Sequence, residues 1–168
     1  MSIAQSLLPE FDAEMKATRI VLERVPEDKL GWRPHEKSSP LGHLALHIAR
    51  LLRWGTMTFD RTEFDLASPE GQKEKSAPPR NREEVLQTFD RNLAAARQAL
   101  LSASDSDFMT GWTLAVGDKK LFTLPRAAVY RQMVMNHLIH HRAQLTVYYR
   151  LVGVPVPSLY GPTADEPL

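Results

Sequence analysis

The chain contains 168 residues, of which 43% are hydrophobic and 24% charged, and its 21 lysines and arginines nearly balance 20 aspartates and glutamates. This composition is typical of one soluble globular domain, here expected over residues 1–168, that folds without disulfides or a structural metal. The balanced charge disfavours nucleic acid as a partner, and the lack of long apolar runs or a secretory pattern favours a cytoplasmic protein without a membrane span.

Four stretches with helical periodicity predict an all-α fold, a four-helix bundle. The first covers about residues 3 to 25, with apolar residues at alternating steps of four and three. The second begins after Ser39, a predicted N-cap, with Pro40 at the first helical position, and runs to about Phe59. Residues 60 to 80 are polar and aperiodic, which predicts a long crossover connection or a functional loop.

The second half of the chain supplies the other two helices. Asn81 and Glu84 are typical of a capping pair and predict the start of the third helix. Two short apolar stretches flank Gly117–Asp118 and predict a short β-hairpin before the last helix. Thr123 is the predicted cap of that last helix, which continues to about Val152.

Histidines are the informative residues because the chain has no cysteine, which leaves imidazoles and carboxylates as metal ligands. His137 and His141, four residues apart, share the interior edge of the last helix, whereas His140 points away. His47 has a similar edge position on the second helix, and His43 lies farther from its apolar arc. Three converging imidazoles are typical of a catalytic zinc or nickel site with an open coordination position. The alternative is that these histidines make only structural hydrogen bonds.

Three segments carry a resemblance to one family: residues 39–49 (SPLGHLALHIA), residues 136–145 (NHLIHHRAQL) and the C-terminal residues 153–166. They resemble the DinB family of metalloenzymes, which is distinct from the lesion-bypass DNA polymerase of the same name. The resemblance covers nearly the whole chain and implies a four-helix bundle with a long crossover. It also implies a homodimer and a divalent metal ion. Carried over onto this sequence, the three metal ligands are His47, His137 and His141.

Relatives of this fold include thiol S-transferases that use bacillithiol or mycothiol and a mycothiol-dependent maleylpyruvate isomerase. The resemblance therefore implies an enzyme that acts on a small molecule, with a low-molecular-weight thiol as a second cofactor. A divalent cation lowers the pKa of a bound thiol, so the protein needs no cysteine of its own. The alternatives are a metal-dependent hydrolase, a non-catalytic metal-binding stress-response module, and a dimerising scaffold without metal. For a hydrolase, the candidate proton relays are His35, Asp165 and Glu166; no catalytic residue is assigned.

Several other polar and aromatic residues are predicted to have structural roles. Arg142 lies on the opposite side of the apolar stripe from His137, which predicts a structural ion pair. Tyr130 and Tyr148 share the face of the histidines, but core packing is their favoured role. The same reasoning predicts packing roles for Trp32, Trp54 and Trp112.

Overall fold

A computed structural model describes residues 1–72 and 77–167 of the chain. Its elements, in chain order, are α1 (Ile3–Leu22), a 3₁₀ turn (Glu27–Lys29), α2 (Leu41–Asp60), β1 (Glu63–Asp65), α3 (Pro69–Gln72), α4 (Arg82–Ser102), α5 (Asp105–Met109), β2 (Gly111–Val116), β3 (Lys119–Pro125), α6 (Arg126–Val129), a π-helical segment (Tyr130–Asn136) and α7 (His137–Val152). The last three are continuous, and we call them the C-terminal helix. No helix in the described part of the chain has the length and apolar character needed to cross a membrane.

The four long helices surround one core, which confirms the predicted bundle. Both α1 and α2 pack against α4 and against α7. In α1, most of the predicted stripe is buried, including Phe11 and Met15, although Leu7 and not the predicted Leu8 is buried in the second turn. The helix begins where Ser2 forms a reciprocal capping box with Gln5, and it continues through Pro9. The predicted cap of α4 is also present, because the Asn81 side chain accepts a hydrogen bond from the backbone N–H of Glu84.

The start of α2 differs from the prediction by one position. The helix begins at Leu41, with Pro40 in the N-cap position, and no side chain caps it. Instead, the backbone N–H of Leu41 donates to the Trp32 carbonyl at 2.8 Å. A carbonyl of the preceding loop therefore satisfies this helix-terminal N–H, and Ser39 does not serve as the cap.

The predicted hairpin is present and alters the start of the C-terminal helix. Strands β2 and β3 are antiparallel and joined by the predicted turn, where Gly117 has φ +56°, a conformation that favours glycine. Thr123 is not a helix cap; it lies in β3, where its hydroxyl lies 2.8 Å from that of Thr113. Pairing with β2 keeps this segment extended, so the helix begins only at Arg126.

The predicted crossover contains regular structure that its aperiodic sequence does not indicate. Strand β1 pairs in parallel with β2, making β2 the centre of a three-stranded sheet. The pairing continues past β1, because the Leu66 N–H donates to the Ala115 carbonyl at 2.9 Å. Asp65 Oδ1 also accepts from the Gly117 N–H at 2.8 Å. The first part of the crossover is therefore fastened to the hairpin; residues 73–76 lie outside the described residues.

Arg142 forms the predicted structural ion pair and joins three parts of the chain. Its guanidinium is 2% exposed and donates to the Glu14 carboxylate at 2.6 Å. It also donates to the Thr18 hydroxyl at 3.1 Å and to the Tyr160 hydroxyl. Tyr160 in turn donates to the same Glu14 carboxylate. The cluster links the C-terminal helix to α1 and to the chain end.

The aromatic residues confirm the predicted packing roles. Tyr130 is fully buried, with its ring against Phe11 and Phe59. Tyr148 lies on another side of the C-terminal helix, edge-on to Trp32 at 5.6 Å between ring centroids. The other two tryptophans contact each other in the core, with ring centroids 5.9 Å apart; they are Trp54 and Trp112.

Candidate metal centre

The three histidines singled out by helical spacing meet where α2 packs against α7. One ligand nitrogen from each of His47, His137 and His141 lies within 4.8 Å of the others. The Nε2 atoms of His137 and His141 are 2.9 Å apart. The His47 ring centroid is 4.7 Å from that of His141 and 5.4 Å from that of His137. Helix packing thus converts three edge positions into one cluster of imidazoles.

The neighbouring histidines stay outside this cluster. His140 is exposed, and its ring stands beside that of His141, with 4.9 Å between the centroids. His43 lies one turn before His47 and contributes no nitrogen to the group. Position around the helix therefore separates the converging histidines from their neighbours on the same helices.

Two hydrogen bonds orient the imidazoles supplied by α7. His141 Nδ1 lies 2.8 Å from Gln144 Oε1. An amide oxygen can only accept, so Nδ1 carries the proton and the Nε2 lone pair faces the cluster. The His137 imidazole bonds to the backbone of Met133, in the π-helical segment. The backbone N–H of His137 bonds to the Val134 carbonyl, three residues earlier, so it does not compete with the ring for the Met133 carbonyl.

Burial and mutual proximity keep the cluster uncharged near neutral pH. Burial, followed by the charges of His141, His137 and Arg50, lowers the pKa of His47 to about 4. Burial also lowers the pKa values of His137 and His141. Neutral imidazole is the form that binds a metal, so little proton release opposes binding at neutral pH.

The donor set fits a divalent ion of the zinc or nickel type. Nitrogen ligands suit both metals, and neighbouring carbonyl or amide partners commonly orient such imidazoles. Two nitrogens that bind one zinc ion at about 2.0–2.1 Å lie at most ~4.2 Å apart. The spacing of at most 4.8 Å therefore needs only small side-chain rotations to close.

The lowered pKa values predict that the metal-free protein becomes less stable as the pH falls. Because the pKa of His47 falls from 6.5 to about 4 on folding, the unfolded chain binds more protons between these values. Acidification through this window should lower the free energy of unfolding by about 1 kcal/mol for this residue, after allowance for solvent screening. Urea denaturation with a chelator, from pH 7 to pH 4.5, should show a flatter profile for His47→Ala. Parallel profiles for the two proteins would contradict the prediction.

A cavity of about 450 Å³ opens beside the cluster. His47 and His137 line it, together with Leu51 and Trp54, which follow His47 by four and seven positions on α2. The remaining lining comes from the crossover and from the end of β2, namely Leu66, Gly71, Gln72 and Val116. A β-carbon at Gly71 would lie 2.5 Å from the Leu66 carbonyl oxygen, so this wall requires glycine there.

The three residues predicted as proton relays form ion pairs or hydrogen bonds away from the histidine cluster. Asp165 is paired with Arg150 at 2.6 Å, and Glu166 is paired with Arg24. His35 lies in the loop before α2, where its Nδ1 accepts from the backbone N–H of Lys37. These three residues do not line the cavity.

Sequence reasoning missed several site residues. Gln144 had an available signal, because it lies three positions after His141 and so on the same face of the helix. Leu51 and Trp54 likewise repeat at helical spacing from His47. The crossover and hairpin positions carried no local signal, because only non-local strand pairing brings them to the site.

Comparison with known proteins agrees with this architecture. The family model of the DinB superfamily matches residues 10–145. The YrdA protein of Bacillus subtilis is 24% identical over 95% of this chain and 89% of its own length. A DinB-like protein from Bacillus cereus has a similar structure, with a TM-score of 0.70 and 23% identity over 95% of this chain and 98% of its own. The DinB-like YjoA protein of Bacillus subtilis gives a TM-score of 0.69 at 19% identity, over 92% and 97% of the two chains. The chain belongs to the DinB superfamily.

Proposed function

We propose that this protein is a metal-dependent enzyme that acts on a small molecule, with His47, His137 and His141 as ligands of a zinc or nickel ion. The observation that carries the proposal is the convergence of three imidazoles, two of which, His47 and His137, line a cavity. Cavities of a few hundred Å³ accommodate small organic ligands. The cavity thus offers space for a substrate beside two of the proposed ligands.

The favoured reaction class is thiol-dependent S-transfer, with a low-molecular-weight thiol as cofactor. A divalent ion held by the imidazoles lowers the pKa of a bound thiol or water, supplying a nucleophile near neutral pH. Among the described residues that line the cavity there is no carboxylate to serve as a general base. Hydrolysis commonly relies on such a proton relay, whereas a thiol needs less assistance because its own pKa is lower.

The chain's own residues have distinct roles in this proposal. The imidazoles hold the ion, and Gln144 and the Met133 backbone orient two of the rings. Leu51 and Trp54 exclude water from one side of the site. Trp54 is only 8% exposed, so its position is fixed by packing.

Metal analysis tests the central claim. Protein purified without added metal and then reconstituted with zinc or nickel should hold about one ion per chain, with the ion beside His47, His137 and His141 in an anomalous-scattering map. Low occupancy after reconstitution, or an ion bound elsewhere, would refute the proposed metal centre.

A substrate screen separates the two reaction classes. The metal-loaded protein should bind a low-molecular-weight thiol in calorimetry and turn over electrophilic substrates only when the thiol is present. Ester or amide hydrolysis without thiol would favour the hydrolase. Metal binding without turnover of either kind would favour a binding module.

Gln144 provides a prediction about ligand orientation. Replacement by methionine keeps the side-chain length but removes the acceptor, so metal affinity should fall about 10- to 100-fold. Gln144 is exposed, and the unfolding free energy of the metal-free protein should therefore change by less than about 0.5 kcal/mol. Competitive titration against a chelator measures the affinity. Gln144→Glu retains an acceptor and should retain tight binding; equal losses in both variants would contradict the orienting role.

A further inference from the structure

We infer that the cavity beside the three histidines accepts an uncharged, apolar group of the substrate and discriminates against a carboxylate at that position. This inference rests on the proposed function, because it takes the metal to lie at the cavity wall. It concerns the part of the ligand that extends away from the metal.

The lining residues carry the inference. Four of the eight are large and apolar, and they come from α2, the crossover and β2: Leu51, Trp54, Leu66 and Val116. The other four are Gly71, Gln72 and two of the histidines, His47 and His137. No lysine, arginine, aspartate or glutamate occurs among the lining residues that the structure describes.

The free energy of moving a group from water into this lining differs between an apolar group and a carboxylate. An apolar group gains about fourfold in affinity for each methylene that leaves water. A carboxylate that extends away from the metal loses hydration, and no cationic side chain among the described lining residues compensates for this loss. Arg50 is close enough to influence the pKa of His47, but it does not line the cavity. The cavity should therefore prefer the apolar group.

Val116 allows the selectivity to be weakened without disturbing the core. It is 44% exposed at the end of β2 and lines the cavity. Leu121 is its matched control, because it is 46% exposed on the adjacent strand and does not line the cavity. Lysine at either position adds the same charge to the same sheet, but only Val116→Lys places it beside the bound ligand.

The test uses two probes with the same metal-binding head. The protein is loaded with Co²⁺, and pentanohydroxamic acid and succinic monohydroxamic acid are titrated while the cobalt absorption bands are followed. The wild type should bind the pentano compound at least about tenfold more tightly. Val116→Lys should lower that ratio by at least about fivefold, and Leu121→Lys should leave it within about twofold.

Each outcome has a separate meaning. Equal binding of the two probes by Co²⁺-loaded wild type, binding of neither, or a ratio unchanged in Val116→Lys would overturn the inference and leave the metal centre intact. A change in Leu121→Lys as large as in Val116→Lys would also overturn it, by showing a general charge effect. Failure of the wild type to bind Co²⁺, zinc or nickel would refute the proposed function and the inference together.

Discussion

Replacing Glu14 with alanine should lower the free energy of unfolding by about 3–5 kcal/mol, because it leaves the buried Arg142 guanidinium without its carboxylate. Arg142 is 2% exposed, and its partner carboxylate is 12% exposed. The same carboxylate accepts from Tyr160, so the substitution also releases a contact of the chain end. Urea denaturation of the wild type and the variant, followed by circular dichroism, measures the loss.

Glu10 is the matched control for Glu14. It lies one turn earlier on α1 and pairs with Arg131 at 2.9 Å, but the two side chains are 43% and 51% exposed. Exposed ion pairs contribute about 0–1 kcal/mol, so Glu10→Ala should be nearly neutral. If both variants lost similar amounts of unfolding free energy, burial of the Arg142–Glu14 pair would not add to stability. The expected contrast separates a structural ion pair from surface charge.

Much of the site was predictable because helical geometry is local. Residues four apart on an α-helix share a face, which was sufficient to group His137 with His141 and to exclude His140. The apolar phase of α2 likewise predicted the placement of His47. The burial of the two apolar faces brings α2 and α7 together, so local patterns were enough to anticipate the cluster.

The cavity was not predictable in the same way. Leu66 and Val116 belong to segments that meet only through parallel pairing of β1 with β2. A three-residue strand in a polar segment leaves no periodic signal, and its pairing is non-local. The histidines could therefore be identified from the sequence, whereas the residues that line the cavity could be identified only from the folded structure.

The π-helical segment is a second feature that periodicity missed. A regular step of 100° per residue does not apply through Tyr130–Asn136, so phases cannot be carried from α7 back to Tyr130. Tyr130 is accordingly in the core and away from the cavity. The same segment supplies the backbone partner of the His137 imidazole. A departure from ideal α-helical geometry thus ends directly before His137, a proposed metal ligand, as is frequent at functional sites.

His137→Ala should lower metal affinity by at least about a hundredfold, more than the loss of an orienting partner costs. The metal-free variant should be about as stable as the wild type, because His137 borders the cavity and burial already disfavours its charged form. At metal concentrations 100 times the wild-type Kd, the wild type should gain about 2.7 kcal/mol of stability and the variant almost none. Denaturation with and without metal measures both quantities.

His140→Ala is the control for this loss, because His140 is exposed and lies beside His141 without joining the three-histidine group. It should retain the full metal-dependent gain in stability. A purely structural role for His137 predicts the opposite pattern, in which the metal-free variant is destabilised and metal has no effect on either protein. If His137 is not needed for folding but is needed for metal binding, its role is functional. Functional groups commonly bring no benefit to stability.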